Sequence, residues 1–234
     1  MATENIKNER AIVYIDGFNL YFGLRAATVK SKNTKRLPKR AYWLDVQSLA
    51  ECLVQDRQLV CVKYFTARIK GNPKKQARQN VFLSAIQHHC SKLQIFEGRY
   101  LLREMLCTKC RHITQDMICP KCGHANNLPE EKKSDVNVAS QMLKDAFENR
   151  FDTAYLVSGD SDLVPPIEVI RSMIPPKKVV VAFPPHRGGS TELKNATDVH
   201  IYIANSILKR SMLPREIEKL DGSKLTIPVE WDQD

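Results

Sequence analysis

Four aspartates stand where apolar runs or helical patterns begin or end. Asp16 closes the apolar run Ala11–Ile15, Asp160 and Asp162 follow a second such run, and Asp135 opens a helical pattern. In an open parallel sheet the carboxyl ends of the strands share one edge, where ligands bind. Carboxylates gathered there repel one another unless a cation lies between them, and hard divalent cations prefer oxygen ligands. The pattern therefore predicts a site for Mg2+ or Mn2+ that orients a water for attack on a phosphodiester.

Each of these aspartates also has an ordinary structural interpretation. The pair Asp16-Gly17 is typical of a strand-ending turn, Asp135 can cap a helix, and residues 159–162 can be a loop that leads into a helix. Their joint placement at strand and helix termini is what favours a metal site. Asn19, one helical turn after Asp16, can supply a neutral amide to a ligand, to a water or to the carboxylates.

A second set of potential metal ligands has the spacing C-x2-C-x8-C-x2-C. Its members are Cys107, Cys110, Cys119 and Cys122. Two such knuckles supply the four thiolates that a tetrahedral Zn2+ requires, and a complete shell leaves no open position for a reacting water. The chain has 7 cysteines, an odd number, and no secretory leader is recognisable, so a disulfide framework is not expected. We therefore expect structural zinc.

The elements that must position these residues alternate between strands and helices. Strands are predicted at residues 11–15, 58–67, 93–99, 153–158 and 178–183, and helices at 19–27, 45–54, 73–90, 134–148, 163–173 and 190–196. This alternation predicts an α/β fold with a mostly parallel sheet and helices on both faces. The expected domain comprises residues 10–103 and 129–205, interrupted by a zinc ribbon at 104–128. Residues 206–234 are a weakly patterned C-terminal appendage that either packs or stays mobile.

Positive charge is concentrated in the first third of the chain. Residues 1–80 carry 16 Lys and Arg against 6 Asp and Glu, whereas the remaining residues carry 20 of each. A basic surface gains affinity for a phosphate backbone by releasing counterions, so the asymmetry favours a polyanion over the alternative of solvated charged loops. The candidate phosphate-contacting side chains are Lys30, Lys32, Lys35, Arg36, Lys39, Arg40, Arg68, Lys70, Lys74, Lys75 and Arg78.

Aromatic residues flank the densest basic loop. Tyr21, Phe22, Tyr42 and Trp43 could stack on bases, although aromatic side chains near helices are more often buried. Hydrophobic residues make up 43% of the chain and no apolar run approaches ~20 residues, which excludes a membrane span. We expect a globular cytoplasmic protein.

Three sequence blocks together resemble the signatures of one family. They are Tyr14-Ile-Asp-Gly-Phe-Asn19, Lys133-Ser-Asp-Val-Asn-Val-Ala139 and Val157-Ser-Gly-Asp-Ser-Asp-Leu163, and the segment Phe183–Leu193 agrees as well. In order and separation they resemble the blocks of NYN-domain proteins of the LabA-like, PIN-like nuclease group. The resemblance covers about residues 10–205 and extends to the four-cysteine insert, which resembles a zinc ribbon of some relatives.

The resemblance implies a Rossmann-like PIN fold and metal-dependent endonuclease chemistry, usually on RNA. It assigns Asp16, Asp135, Asp160 and Asp162 to the metal-binding and catalytic acidic set, with Asn19 as the accompanying amide. Many relatives carry a further acid where this chain has Gln141, which puts the number of bound ions in question.

The leading hypothesis is a metal-dependent endoribonuclease that uses Mg2+ or Mn2+ at the aspartates and structural Zn2+ at the cysteines. Its partner is RNA, with single-stranded DNA as a second candidate. The alternative is a non-catalytic module that binds nucleic acid or protein through the same fold and the zinc ribbon. A phosphohydrolase acting on small molecules is a weaker hypothesis, because neither an aspartyl nucleophile nor a cap is evident.

Overall fold

The computed structural model describes residues 9–29, 36–70, 72–100, 105–114, 119–124 and 131–233. The strands are β1 (Arg10–Asp16), β2 (Gln58–Thr66), β3 (Leu93–Glu97), β4 (Arg99–Tyr100), β5 (Met105–Leu106), β6 (Ile113–Thr114), β7 (Glu131–Lys132), β8 (Thr153–Val157), β9 (Lys178–Phe183), β10 (Val199–Tyr202), β11 (Glu216–Glu218) and β12 (Lys224–Thr226). The helices are α1 (Gly17–Val29), α2 (Val46–Val54), α3 (Pro73–His89), α4 (Ser134–Phe147), α5 (Val164–Arg171), α6 (Thr191–Ala196) and α7 (Asn205–Arg210), with 3-10 turns at Lys39–Tyr42 and Ser161–Leu163.

Six strands form one sheet in the order β10-β9-β8-β1-β2-β3. Every neighbouring pair in it is parallel, so the expected parallel α/β sheet is confirmed. The chain builds outward from β1 in one direction through β3 and then returns to build the other half from β8. This strand order is the doubly wound Rossmann arrangement, and the strand order reverses between β1 and β8, where such sheets bind ligands.

Alternating side chains of the central strands pack into two separate hydrophobic cores, one on each face of the sheet. Val13 and Ile15 of β1 belong to the core under α1, α2 and α3, whereas Ile12 and Tyr14 belong to the core under α4, α5 and α6. This period-two division is expected of a strand buried on both faces. It confirms that helices cover both faces, and by the same alternation Asp16 lies on the α4 face.

Side-chain caps begin three of the helices near the predicted positions. Asp45 accepts the amides of Gln47 and Ser48 ahead of α2. Asn72 caps α3, and Ser190 caps α6. Each cap satisfies an amide that the first helical turn leaves without an intrahelical partner.

The strand β10 was not predicted from the sequence. It is a four-residue edge strand in which three of four side chains are exposed, so it has no apolar run to reveal it. It pairs in parallel with β9, with Val199 opposite Val180.

The four-cysteine segment leaves the domain after β3 and returns at α4. The two-residue strands β4 and β7 pair antiparallel as a stalk, and β5 and β6 form a hairpin beyond it. Residues 101–104, 115–118 and 125–130 of the predicted ribbon lie outside the described residues. The carboxyl end of β3 and the start of α4 lie at the edge of the sheet that holds Asp16, so the insertion projects from that edge.

The C-terminal residues pack against the domain. Asp45 donates its amide to the carbonyl of Ser211 at 2.8 Å, and Leu213 donates to that of Trp43 at 3.0 Å. The indole of Trp43 donates to the carbonyl of Pro214 at 2.7 Å. The antiparallel hairpin of β11 and β12 follows and inserts Ile217 into the core under α3. Of the two outcomes expected for the tail, the described part shows packing.

Among the described residues, none of the helices combines the length and the apolar composition that crossing a membrane would take.

Candidate functional site

Asp16 ends β1 and is 6% exposed. Its two oxygens accept hydrogen bonds from the backbone amide of Asn19 at 2.9 Å and from the hydroxyl of Ser158 at 3.0 Å. Burial raises the pKa of Asp16, although these hydrogen bonds oppose the shift and the nearby charge of Asp160 adds to it. The carboxylate therefore joins the end of β1 to the end of β8.

Gly17 follows Asp16 because a side chain would not fit there. A Cβ at this position would lie 2.7 Å from both the carbonyl oxygen of Phe65 and the ring of Tyr64. The close approach of α1 to β2 is thus possible only without a side chain. The Asp-Gly pair serves this packing as well as the site.

The loop after β8 is held in place by the same neighbours. Ser158 accepts the amide of Asp160 at 3.2 Å, and Asp160 accepts the amide of Asp162 at 3.0 Å. The side-chain carbonyl of Asn19 accepts the amide of Gly159 at 3.2 Å. Asn19 therefore ties α1 to the loop that carries the two aspartates, and its carbonyl is already engaged by the protein.

Asp135 lies in the first turn of α4 and is half-buried. Burial raises its pKa to about 6, and the negative charges of Asp16, Asp160 and Asp162 contribute to the rise. The four predicted aspartates are therefore close enough to influence one another, although they come from three separate segments. This is the convergence at the carboxyl ends of β1 and β8 that the sequence predicts.

The four carboxylates do not form a closed cage. Within the described ranges, only the cysteines bring three or more histidine, cysteine or acidic ligand atoms within 4.8 Å of one another. A cluster of mutually repelling oxygens with space between them fits a hard cation that keeps several of its waters, as Mg2+ does. Oxygens that bind one Mg2+ directly lie within about 4.2 Å of one another, so as placed no three of these carboxylates can all be direct ligands. The arrangement fits an ion bound directly by one or two of Asp16, Asp135, Asp160 and Asp162, with the other carboxylates reaching it through its waters.

Gln141 faces a buried ion pair. Its carbonyl accepts from the ammonium of Lys63 at 2.9 Å, and Lys63 also pairs with Asp145 at 2.7 Å. Lys63 and Asp145 are almost completely buried, and the hydroxyl of Tyr14 donates to Asp145 at 2.7 Å. The carbonyl of Gln141 is thus used to satisfy a buried lysine, which a charge buried in a core requires.

The four-cysteine centre is a compact cluster. All four sulfurs lie within 4.8 Å of one another, which is the arrangement that tetrahedral zinc needs. The two knuckles repeat one backbone pattern, because the amide of Cys107 donates to His112 and that of Cys119 donates to His124, at 2.9 and 2.8 Å. Burial opposes ionisation of Cys107, but backbone amides of Lys109 and Cys110 donate to its sulfur and lower its pKa to about 6.

The predicted basic residues divide into engaged and open side chains. Arg68 pairs with Glu97 at 2.7 Å, and Arg78 pairs with Glu230 at 2.8 Å. Arg40 is half-buried and donates to the carbonyl of Leu213. Exposed side chains are those of Arg36, Lys70 and Lys74, with Lys75 half-buried; Lys39 is exposed but donates to the side-chain carbonyl of Gln233 at 2.7 Å. Lys30, Lys32 and Lys35 lie outside the described residues.

A pocket lined by aromatic and basic side chains lies on the face of the sheet that α1 and α3 cover. We call it the aromatic pocket; its cavity is about 120 Å³ and its main lining residues are Tyr21, Arg25, Tyr42, Tyr64, Arg78, Phe82 and Trp231. Gly17 and Phe18, the two residues after Asp16, line it as well. The pocket therefore borders the same edge of the sheet through the start of α1, although its lining residues include none of the four aspartates.

Sequence reasoning found part of this pocket. Tyr21, Phe22 and Tyr42 were candidates for base stacking and line it, whereas Trp43 is fully buried in the core. Arg25 and Trp231 were missed. Arg25 stands alone in an apolar helical segment, and Trp231 lies in the weakly patterned tail, so no local pattern connected either to the site.

The NYN domain family matches residues 10–206. One relative is the 6-hydroxy-3-succinoylpyridine 3-monooxygenase HspA of Pseudomonas putida, which is 29% identical over an alignment of 254 residues. The alignment covers 95% of this chain and 75% of that protein. A solved structure of a Vibrio parahaemolyticus protein of unknown function is similar with a TM-score of 0.50 and 19% identity, covering 85% of this chain and 94% of that one. This second similarity supports the fold.

Proposed function

The chain belongs to the NYN domain family, and we propose on that premise that it is a metal-dependent endonuclease that cleaves RNA. The proposal rests on one observation above the others. Asp16, Asp135, Asp160 and Asp162 come from three distant segments, and their charges act on one another near the place where the strand order of the sheet reverses. In doubly wound sheets this crevice is where ligands bind.

The proposed roles follow from the contacts of each side chain. The four aspartates hold Mg2+ or Mn2+, which when bound supplies charge neutralisation and an activated water for attack on a phosphodiester. Ser158 and Asn19 fix the carboxylate of Asp16 and the loop 159–162, so that the acidic groups keep their separation. Zn2+ at the four cysteines has the structural role of holding the insertion.

Basic side chains of the first 80 residues are proposed to contact the RNA backbone. Lys70, Lys74 and Arg36 are exposed, so their ammonium and guanidinium groups can approach phosphates without first breaking an ion pair with another described residue. Phosphate contacts of this kind position a strand without selecting its sequence.

The decisive experiment is cleavage of end-labelled single-stranded RNA and DNA by the purified protein in Mn2+, in Mg2+ and in EDTA. Asp16→Asn and Asp160→Asn are assayed beside it, with Asp56→Asn as the matched control. Asp56 is exposed in the turn before β2, at the opposite edge of the sheet. We expect metal-dependent cleavage of RNA that both site variants lose by at least about 1,000-fold and the control retains.

Full activity of a carefully purified Asp16→Asn protein would refute the assignment. Binding of RNA without cleavage under any metal condition would favour the non-catalytic binding module instead. The two results differ clearly, because the first shows cutting that ignores the aspartates and the second shows none.

A second candidate function is catalysis on a heteroaromatic small molecule. The name of the Pseudomonas relative describes a substrate with a pyridine ring and a carboxylate. The observation that favours this candidate is the aromatic pocket, whose rings and arginines suit such a compound. It is tested by incubating the protein with 6-hydroxy-3-succinoylpyridine, dioxygen and a reductant. Consumption of that compound in the absence of RNA cleavage would place this candidate ahead.

A further inference from the structure

We propose that the aromatic pocket is a subsite for one unstacked nucleobase of a single-stranded RNA, next to the phosphate that the aspartates would receive. This inference rests on the proposed nuclease function and adds a preference for unpaired nucleotides to it. The argument stands on the walls of the pocket, on its charges and on its position.

The walls are a chain of aromatic rings that come from α1, the 3-10 turn Lys39–Tyr42, β2, α3 and the C-terminal segment. Ring centroids are 5.5 Å apart for Tyr21 and Tyr42, 5.6 Å for Tyr42 and Trp231, 6.3 Å for Trp231 and Phe82, and 6.2 Å for Phe82 and Tyr64. The four pairs are tilted or edge-on, so none uses up its ring faces in parallel stacking. A planar guest can therefore stack against the faces that remain.

The size of the pocket suits a single ring system. A cavity of about 120 Å³ is of the order that holds one benzene in an apolar protein core. A duplex cannot present a base to such a cavity, because its bases are stacked and paired. An unpaired base can turn into it, and stacking on aromatic side chains is the usual way in which proteins hold such bases.

The charges at the pocket suit a guest that carries a phosphate. Arg25, Lys75 and Arg78 line it. Arg25 makes no ion pair with any residue in the described part of the chain. Arg78 is held by Glu230 at 2.8 Å, one residue before Trp231. The C-terminal segment thus brings both an aromatic wall and a competing carboxylate to the pocket.

The position of the pocket favours a nucleotide within a strand over a free small molecule. Gly17 and Phe18 line it and directly follow Asp16. A base in the pocket therefore lies at the sheet edge that carries the carboxylates, but on the α1 face, whereas Asp16 lies on the α4 face. Exposed Lys70 and Lys74 are close in sequence to Lys75, which lines the pocket. A small aromatic acid would use the rings and one cation but would leave the other basic side chains without a role.

The test measures binding in EDTA, where cleavage is prevented. Of the 2 tryptophans, Trp43 is fully buried and Trp231 is half-buried, so ligand-induced quenching of tryptophan fluorescence reports on Trp231. The probes are a short single-stranded oligoribonucleotide, the same sequence as a duplex, uridine monophosphate and nicotinate. We expect saturable quenching by the single strand, weaker quenching by uridine monophosphate and none by the duplex.

Variants separate binding from tail anchoring. Affinity is measured by anisotropy of labelled RNA, and Trp231→Ala is expected to weaken it about tenfold because a stacking partner is lost. Arg78→Gln should weaken it about fivefold. Glu230→Gln breaks the same ion pair but leaves the arginine free, so its affinity should equal or exceed that of the wild type. If Glu230→Gln weakens binding as much as Arg78→Gln does, anchoring of the tail explains the effect and the subsite is refuted.

Other outcomes also decide the question. Unchanged RNA affinity in Trp231→Ala refutes the subsite, and so does quenching by nicotinate without quenching by RNA, which would identify a small-molecule site. The failure of the nuclease proposal looks different: quenching by single-stranded RNA persists, but no metal supports cleavage. Metal-dependent cleavage with pocket variants that bind normally leaves the nuclease standing and removes the subsite.

Discussion

The four-cysteine centre and the aspartate edge are both suited to cations, but they draw on very different lengths of chain. The cysteines span residues 107–122 and form a cluster in which all sulfurs lie within 4.8 Å of one another. The aspartates span residues 16–162 and influence one another without closing into a cage. Four cysteines within a short segment form a compact cluster. Aspartates at the ends of separate strands and helices leave space between them.

The difference explains how each site is supported. The cysteine centre is held by hydrogen bonds within its own knuckles, from Cys107 to His112 and from Cys119 to His124. The aspartate edge depends on the sheet and on the position of α4, which is fixed by the buried pair of Lys63 and Asp145. Damage to one site should therefore leave the other intact, and the following predictions test this independence.

Loss of the zinc ligands should have the largest local effect. Structural zinc supplies roughly 10–16 kcal/mol of apparent binding free energy in small zinc sites. We expect elemental analysis to find one zinc per chain in the wild type and much less in Cys110→Ser or Cys119→Ser. The urea midpoint of the sheet should not change. Cys52→Ser, which lies outside the cluster, is the control that keeps its zinc; loss of the sheet with the zinc would contradict the independence.

Breaking the buried ion pair should have the next largest effect. Here the sheet should lose stability while the zinc content stays the same. Lys63→Met removes the buried cation of Asp145 and leaves it only the half-exposed Arg150 at 3.3 Å, so we expect a loss of up to about 3–5 kcal/mol of unfolding free energy. Urea denaturation measures the loss, and zinc content should be unchanged. The control Lys144→Met removes an exposed lysine paired with Glu148 and should cost less than about 0.5 kcal/mol. Equal losses of unfolding free energy in the two variants would show that the buried pair stabilises the fold no more than an exposed pair does.

Removing one charge from the aspartate edge should stabilise the metal-free protein. The pKa of Asp135 rises from 3.8 to about 6 on folding. A carboxyl with a raised pKa favours the folded state while protonated, so its penalty is absent below pH 3.8 and complete above about pH 6. In EDTA near pH 7, we expect Asp135→Asn to raise the unfolding free energy by about 1–2 kcal/mol, and not to raise it near pH 3.5.

The comparison for that prediction is Asp152→Asn. The hydrogen bonds and charge of Arg10 lower the pKa of Asp152, so its substitution should reduce stability near pH 7. Thermal denaturation at the two pH values distinguishes the signs. A loss of stability in Asp135→Asn near pH 7 would show that the favourable interaction of this charge with the N-terminus of α4 outweighs repulsion among the aspartates.

The smallest effect is expected from restoring an acid at position 141. The side chain of Gln141 already contacts Lys63 at 2.9 Å, so a glutamate there should pair with the ammonium. Gln141→Glu should therefore change the Mn2+ dependence of cleavage by less than about twofold. A marked rise in Mn2+ affinity, measured by titration calorimetry, would show that the new carboxylate reaches the metal instead.

Local patterns predicted much of this molecule correctly. The range of β9, the cap of α2 at Asp45 and the grouping of the cysteines all follow from short stretches of sequence. Such features depend on propensities, capping and ligand spacing within a few residues. The proximity of the four aspartates also followed, because the parallel strand order of an α/β sheet brings strand ends together.

Features that depend on distant partners were not predicted. Lys63 reads as one polar residue in a strand, and nothing nearby in sequence reveals that Asp145 neutralises it in the core. Trp231 reaches the aromatic pocket only because the tail packs back on Tyr42 and Phe82. Arg40 was grouped with the exposed cations, yet it donates to Leu213 of the same tail. Each of these contacts joins residues that are far apart in the sequence, so no local pattern could have predicted it.

The strand order also determines when the aspartate edge can exist. Strand β1 pairs with β8, and Ala11 lies opposite Thr153. One side of β1 therefore stays unpaired until Thr153 has been synthesised. Closing so long a loop is entropically costly, and contacts distant in sequence form slowly. During synthesis the half-sheet of β1, β2 and β3 emerges first, with Asp16 on an uncovered strand edge. The nascent chain therefore contains all four cysteines before it contains the second pair of aspartates, so the zinc ligands are complete before the carboxylates can come together.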